Sequence, residues 1–87
     1  MHYLYILKSL KDKKLYIGQT SDLRRRLLEH NKGSVRATKY RAPLKLAYYE
    51  AYANKREAVE RERNLKLFKN AYTGLMRRIK ISLEDSA

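Results

Sequence analysis

A chain of 87 residues without cysteine makes one small domain held by packing alone, which excludes disulfides, thiolate metal sites and thiol chemistry. No run approaches the roughly 20 apolar residues that cross a bilayer, and the opening residues read as a strand rather than a signal peptide. Twenty-one Lys and Arg against nine Asp and Glu give a net charge of +12, a self-repelling surplus whose usual counterpart is a polyanion, with nucleic acid ahead of an anionic membrane surface. The expectation is a cytoplasmic protein with one domain over residues 1–83, a frayed tail at 84–87 and no membrane partner.

His2 to Leu7 alternates Tyr3, Tyr5 and Leu7 with Leu4 and Ile6; apolar side chains on both sides predict a strand with little solvent exposure. Leu10 to Lys14 is a charged turn, and Leu15-Tyr16-Ile17 is a second strand ending at Gly18, so the two read as an antiparallel hairpin. Thr20 or Ser21 is placed to cap a first helix, with Asp22 in its first turn; the helix runs to about Asn31 and Gly33 punctuates its end. Gly33 to Pro43 is a polar, basic loop without periodicity. Leu46 to Tyr52 alternates again as a third strand. Asn54, with Glu57 three residues on, resembles a capping box opening a second helix that reaches about Lys69. Tyr72, Leu75, Met76, Ile79 and Leu83 recur at helical spacing and predict a third helix, with Gly74 weakening its first turn. The order β-β-α-β-α-α defines an α/β domain: a small three-stranded antiparallel sheet flanked by helices.

The charge is unevenly spread. No acid lies between Glu29 and Glu50, where Lys32, Arg36, Lys39, Arg41 and Lys45 accumulate, and none between Glu62 and Glu84, which encloses Arg63, Lys66, Lys69, Arg77, Arg78 and Lys80. The basic loop carrying Lys32, Arg36, Lys39 and Arg41 is the expected phosphate-tracking surface.

Several residues sit where solubility alone would not put them. Leu23, Arg26, Leu27 and His30 share one face of the first helix, so a guanidinium and an imidazole border the face that should be buried. Snorkelling of Arg26 and a dipole contact of His30 at the helix end account for them as well as a functional role does. Glu62 projects among Ala58, Val59 and Leu65 on the second helix; it either pairs with Lys66 one turn on or holds a cation. Eight of the nine aromatics are Tyr, and because a buried phenol needs a hydrogen-bond partner, a Tyr-lined interior is often a polar cleft. Tyr40, Tyr48, Tyr49, Tyr52 and Tyr72 read as structural.

Tyr3-Leu4-Tyr5, then Leu15-Tyr16-Ile17-Gly18, then Asp22-Leu23 leading to Arg26 and His30, with a helical glutamate downstream, together resemble the GIY-YIG nuclease superfamily over nearly the whole chain. The likeness is to its short stand-alone members, which are similar to the N-terminal nuclease domain of the excision-repair subunit that makes the 3′ incision. The resemblance implies that the phenols of Tyr5 and Tyr16 line the active site, one of them helping to activate water. It implies that Arg26 contacts the scissile phosphate, that His30 assists positioning or proton transfer, and that Glu62 holds a single divalent ion, Mg²⁺ or Mn²⁺. Two positions depart from the pattern: Tyr3 replaces the leading Gly of the first triplet, and Gln19 stands where the repair nuclease has Lys.

The set is chemically coherent. An arginine donates two fixed hydrogen bonds to phosphate oxygens, and Mg²⁺ needs only one protein carboxylate when the substrate phosphate supplies another ligand. A phenol, with a pKa of about 10, is a poor base at neutral pH and needs help from the metal or from Arg26. The implied function is a metal-dependent DNA endonuclease, structure-selective, acting in DNA repair or recombination; the alternative is a catalytically silent module that binds DNA or RNA. A small basic component of a ribonucleoprotein would explain the charge but not Arg26, His30 and Glu62. Specificity then comes from the cleft, from homodimerisation or from a partner protein.

Overall fold

In the computed structural model, which describes residues 1–85, the alternation of the first strand becomes the organising feature of the fold. β1 (His2–Ser9) lies in the middle of an antiparallel sheet ordered β2-β1-β3, flanked by β2 (Leu15–Thr20) and β3 (Leu44–Tyr52). A central strand is covered on both faces, which is why β1 is apolar on both. Leu4 and Ile6 turn to one side and join Ile17, Leu65, Leu75 and Ile79 in the larger core. Tyr5 and Leu7 turn to the other and pack with Leu44, Leu23, Leu27 and Tyr16. One strand therefore builds the core with its even residues and the second face with its odd ones.

The β1–β2 turn is closed by Ser9, fully buried, whose hydroxyl accepts from the Lys11 and Asp12 amides and donates to the Arg41 carbonyl. α1 (Leu23–Asn31) lies on the Tyr5 face, followed by a 3₁₀ turn (Arg36–Thr38) in the basic loop. α2 (Lys55–Leu67), α3 (Lys69–Arg78) and α4 (Lys80–Asp85) follow β3. Under α2, the Glu50 carboxylate accepts from Tyr48 (2.7 Å), Tyr52 (2.6 Å) and both the Nε and Nη2 of Arg61 (2.9 and 3.1 Å), tying β3 to the helix. Burial and the adjacent carboxylate push both phenols up to about 12. These two tyrosines are structural, as their sequence context suggests.

Boundaries shift for identifiable reasons. Asp22 is itself the N-cap of α1, its Oδ1 accepting from the Arg25 amide at 3.0 Å, because Thr20 stays paired with Tyr3 in the sheet. The end of α1 follows the expected pattern: Gly33 has φ +76, its amide donates to His30 and the Ser34 amide to Glu29. β3 starts two residues earlier than its alternation indicates, since the Asn31 side chain donates to the Leu44 carbonyl and accepts from its amide. Asn54 caps α2 as expected, accepting from the Arg56 amide at 2.8 Å. Phe68 is extended (φ −115, ψ 109) and ends α2 before Lys69. The expected last helix breaks at Ile79 into α3 and α4, while the Ile79 amide to Leu75 and the Leu83 amide to Ile79 carry helical bonding across the break. Glu84 and Asp85 continue α4, and residues 86–87 of the expected tail lie outside the described residues. No helix among the described residues is long and apolar enough to cross a membrane.

Candidate active site

Three elements bring the chemistry together on the second face of the sheet. Tyr5 on β1 and Tyr16 on β2 point to the same side, their ring centroids 6.4 Å apart. α1 crosses this side and, because positions 26 and 30 share a helical face, delivers Arg26 and His30 to the two phenols. The His30 ring meets Tyr16 edge-on at 5.0 Å and Tyr5 at 5.8 Å. The space for this comes from Gly18, opposite Tyr5 in the hairpin; a Cβ there would stand 2.5 Å from the Tyr5 Oη and 3.1 Å from the Tyr16 ring.

His30 is fully buried and bonded at both nitrogens: Nε2 lies 2.9 Å from the Tyr5 Oη and Nδ1 2.6 Å from Oγ1 of Thr38, itself fully buried. The imidazole is neutral, so one ring nitrogen donates and the other accepts. The direction of its titration agrees: burial, reinforced by the Arg26 charge and opposed by Glu29, pulls the His30 pKa down to about 4. Burial raises the Tyr5 phenol above its ordinary value; Arg26 opposes the rise, and Tyr16 and Glu62 add to it. Arg26 also pairs with Glu29 at 3.1 Å, which holds the guanidinium at the rim of the cleft while a third of it remains exposed.

Glu62 lies on α2, whose Leu65 packs on the Leu4–Ile6 face, and it meets this cluster through Lys66 at the Tyr16 edge. Its Oε2 accepts from Lys66 Nζ at 2.9 Å, and no hydrogen bond engages its other oxygen among the described residues. The ion pair foreseen as one possibility is therefore present, and Lys66 also stands 5.8 Å over the Tyr16 ring. The other acids with described partners are committed: Asp12 to Arg41, Asp22 to the α1 cap, Glu29 to Arg26 and Glu50 to Arg61. No group of three or more His, Cys, Asp or Glu that could cage a metal occurs among the described residues. A single hard carboxylate oxygen fits an ion that keeps most of its waters, such as Mg²⁺, and does not fit a fully protein-ligated one.

Of the expected site residues, Tyr5, Tyr16, Arg26 and His30 gather on one face of the sheet, and Glu62 is joined to them through Lys66 beside the Tyr16 ring. They are unequally accessible: Tyr5 is 2% exposed, whereas Tyr16 is half-buried and Arg26 reaches the rim. The basic loop packs behind His30 through Thr38. Its Lys32, Arg36 and Lys39 are exposed, with Lys39 Nζ 5.5 Å from the Tyr40 ring centroid. Arg41 is instead half-buried, paired with Asp12 at 2.8 Å and donating to the Leu15 carbonyl. One contributor, Thr38, carries no sequence signal because it lies in an aperiodic loop; Lys66 was readable as the i,i+4 partner of Glu62 but not as a neighbour of Tyr16.

A small three-stranded antiparallel sheet flanked by helices, with tyrosines on its first two strands and an Arg and a His on the helix that follows, fits the GIY-YIG fold. Residues 1–76 match the GIY-YIG catalytic domain, and the chain belongs to that family. A UPF0213 protein of Clostridium perfringens is 48% identical over 67 residues, 76% of this chain and 71% of that one. A UPF0213 protein of Staphylococcus saprophyticus is 43% identical over 68 residues, 77% of this chain and 82% of that one. The solution NMR structure of a UPF0213 protein from Bacillus halodurans superposes with a TM-score of 0.53 at 35% identity, covering 87% of this chain and 82% of that one. A domain of this family implies a nucleic-acid substrate, and such nucleases generally use divalent metal ions.

Proposed function

We propose that the chain is a DNA endonuclease that hydrolyses phosphodiester bonds with one Mg²⁺ or Mn²⁺ ion, cuts selectively at structured DNA, and serves repair or recombination in the cytoplasm. The observation that supports this reading is the buried string Tyr5–His30–Thr38 beside Tyr16 and Arg26, with Lys66, the ion-pair partner of Glu62, 5.8 Å from the Tyr16 ring centre. Arg26, exposed at the rim, binds the scissile phosphate and neutralises the charge that grows on it; Glu29 holds the guanidinium until the phosphate arrives. Tyr16, the more accessible phenol, faces the attacking water. Tyr5, buried and bonded to the neutral His30 at 2.9 Å, keeps its own proton and forms the back of the site. Glu62 would hold the ion through the oxygen that Lys66 leaves free, and a divalent ion bound there supplies charge neutralisation and a more acidic water. The basic loop tracks flanking phosphates, and specificity comes from the cleft, a homodimer or a partner protein.

A second reading has one observation on its side. Lys66 neutralises Glu62 without any metal, as suits a catalytically silent module that binds DNA or RNA. A nicking assay on supercoiled plasmid and branched oligonucleotides, with Mg²⁺ or Mn²⁺ and with EDTA, separates the two. The enzyme reading expects cutting that EDTA abolishes and that Arg26→Ala and Glu62→Ala each reduce by about 10²-fold or more. Salt-sensitive binding without cutting, unchanged by Glu62→Ala, would establish the silent module instead.

A further inference from the structure

A groove of about 420 Å³ runs from Ile17 on β2 past Leu65, Lys66 and Leu67 of α2 to Lys69 and Tyr72 of α3. Leu65 at its floor is buried, while Leu67 is 62% and Tyr72 36% exposed, and Phe68 at the α2–α3 corner is 57% exposed. Leu67, Phe68 and Tyr72 thus set exposed apolar and aromatic side chains near one another around the α2–α3 corner.

Two observations identify what fits. The charged groups lining the groove are cations, Lys66 and Lys69, and no acid occurs in the chain between Glu62 and Glu84. The groove adjoins the proposed site through Lys66, which lines it while pairing with Glu62 at 2.9 Å and standing 5.8 Å from the centre of the Tyr16 ring. Its occupant must offer a flat apolar face and negative charge together, and must reach Arg26 along the same chain. A nucleic-acid strand with an unpaired base does this. An apolar peptide gains nothing from the two ammonium groups, and a paired duplex keeps its base faces stacked inside.

We propose that this groove is a subsite for an unpaired nucleotide adjoining the scissile phosphate, with its base against Tyr72 and its phosphates on Lys66 and Lys69. The inference rests on the nuclease reading above and deepens it, naming as substrate DNA that carries a single-stranded stretch beside the cut. Because every base has a π-face, the contact selects strandedness and not sequence. A phosphate on Lys66 also competes with Glu62 for the ammonium, so filling the subsite frees the carboxylate that the ion needs.

The test is fluorescence anisotropy on the full chain in EDTA, with a labelled single-stranded oligothymidylate and a duplex of equal length. Tyr72→Ala is expected to weaken single-strand binding by about 5- to 100-fold, while duplex binding is unchanged and Tyr72→Phe behaves as wild type. The chain has no Trp, so Tyr72→Trp provides a lone reporter that a stacked base quenches. Single-strand affinity untouched by Tyr72→Ala, or lost equally for both probes, overturns the subsite and leaves the nuclease reading standing. A folded Tyr72→Trp that the single strand binds without quenching overturns it as well. Concentration-dependent self-association that Tyr72→Ala abolishes, with DNA binding intact, assigns the groove to a second copy and overturns it too. Failure of the wild type to bind either probe removes the nuclease reading together with the subsite.

Discussion

Gly18 pairs with Tyr5 across the β1–β2 hairpin, and a methyl group on it would meet the Tyr5 Oη at 2.5 Å and Cζ at 2.6 Å. The Tyr5 ring cannot retreat, being buried and bonded to His30. Gly18→Ala is therefore expected to cost about 1–3 kcal/mol and to displace the phenol, lowering DNA cutting beyond what the lost stability explains. Thermal melts and nicking rates measured on the same protein check this, and a variant with wild-type values in both would show that the ring has room. His30 makes a second prediction. Its folded pKa of about 4 lies below the ordinary 6.5, so between these values the unfolded chain binds the proton first. Stability contributed by the neutral imidazole is present in full above pH 6.5 and is lost as pH falls towards 4, by on the order of 3 kcal/mol. Urea unfolding at pH 7 and near pH 4.5 measures the loss, which should be smaller in His30→Gln; parallel losses would remove His30 as the cause. At this scale the shared face of Arg26 and His30, the approach of Tyr5 to Tyr16 across the hairpin and the Glu62–Lys66 ion pair were legible from strand and helix spacing. Thr38 was not, because only the folded path of an aperiodic loop brings it to Nδ1.

That path is fixed by the ends of neighbouring elements. Asn31, the last residue of α1, uses its amide as a strand mimic, donating to Leu44 O at 2.9 Å and accepting from Leu44 N at 2.7 Å. The clip sets where β3 begins and, with the Ser9 hydroxyl on the Arg41 carbonyl, closes the loop that carries Thr38. Asn31→Ala is expected to destabilise the fold by about 1–2 kcal/mol, read from chemical denaturation, and to speed amide exchange at Leu44. Unaltered exchange there would mean that water replaces the clip. Element types and order were readable from period-2 and helical spacing, and hairpin pairing from the short connector. The boundaries that moved, at Asp22, Leu44, Phe68 and Ile79, are those set by tertiary bonds or by single backbone angles that carry no periodic signal.

For the molecule as a whole, +12 on 87 residues dominates. Few cations are neutralised within the structure: four ion pairs are described, against twenty-one Lys and Arg. Raising salt to about 0.5 M, which shortens the Debye length to a few Å, should relieve self-repulsion and raise Tm by roughly 4–8 °C, equivalent to about 1 kcal/mol. A flat or falling Tm across the series would show that the charges are too dispersed to repel. The same surplus makes binding salt-dependent. Replacing Lys39 and Arg41 together is expected to weaken binding to all DNA sequences alike and to lower the slope of log K against log salt by about 1–2. Lys39 should account for most of that change, since Arg41 already serves Asp12. An unchanged slope would move the phosphate track elsewhere.

The parity of β1 has a consequence for how such a chain can diverge. Leu4 and Ile6 serve the core while Tyr5, between them, serves the cleft. A single codon gained or lost within this strand would exchange the two sets at one stroke, sending a phenol into the core and leucine to the face of His30 and Tyr16. Surface charges are free to drift and the exposed parts of loops to lengthen, but the eight residues of β1 can be inherited only in step.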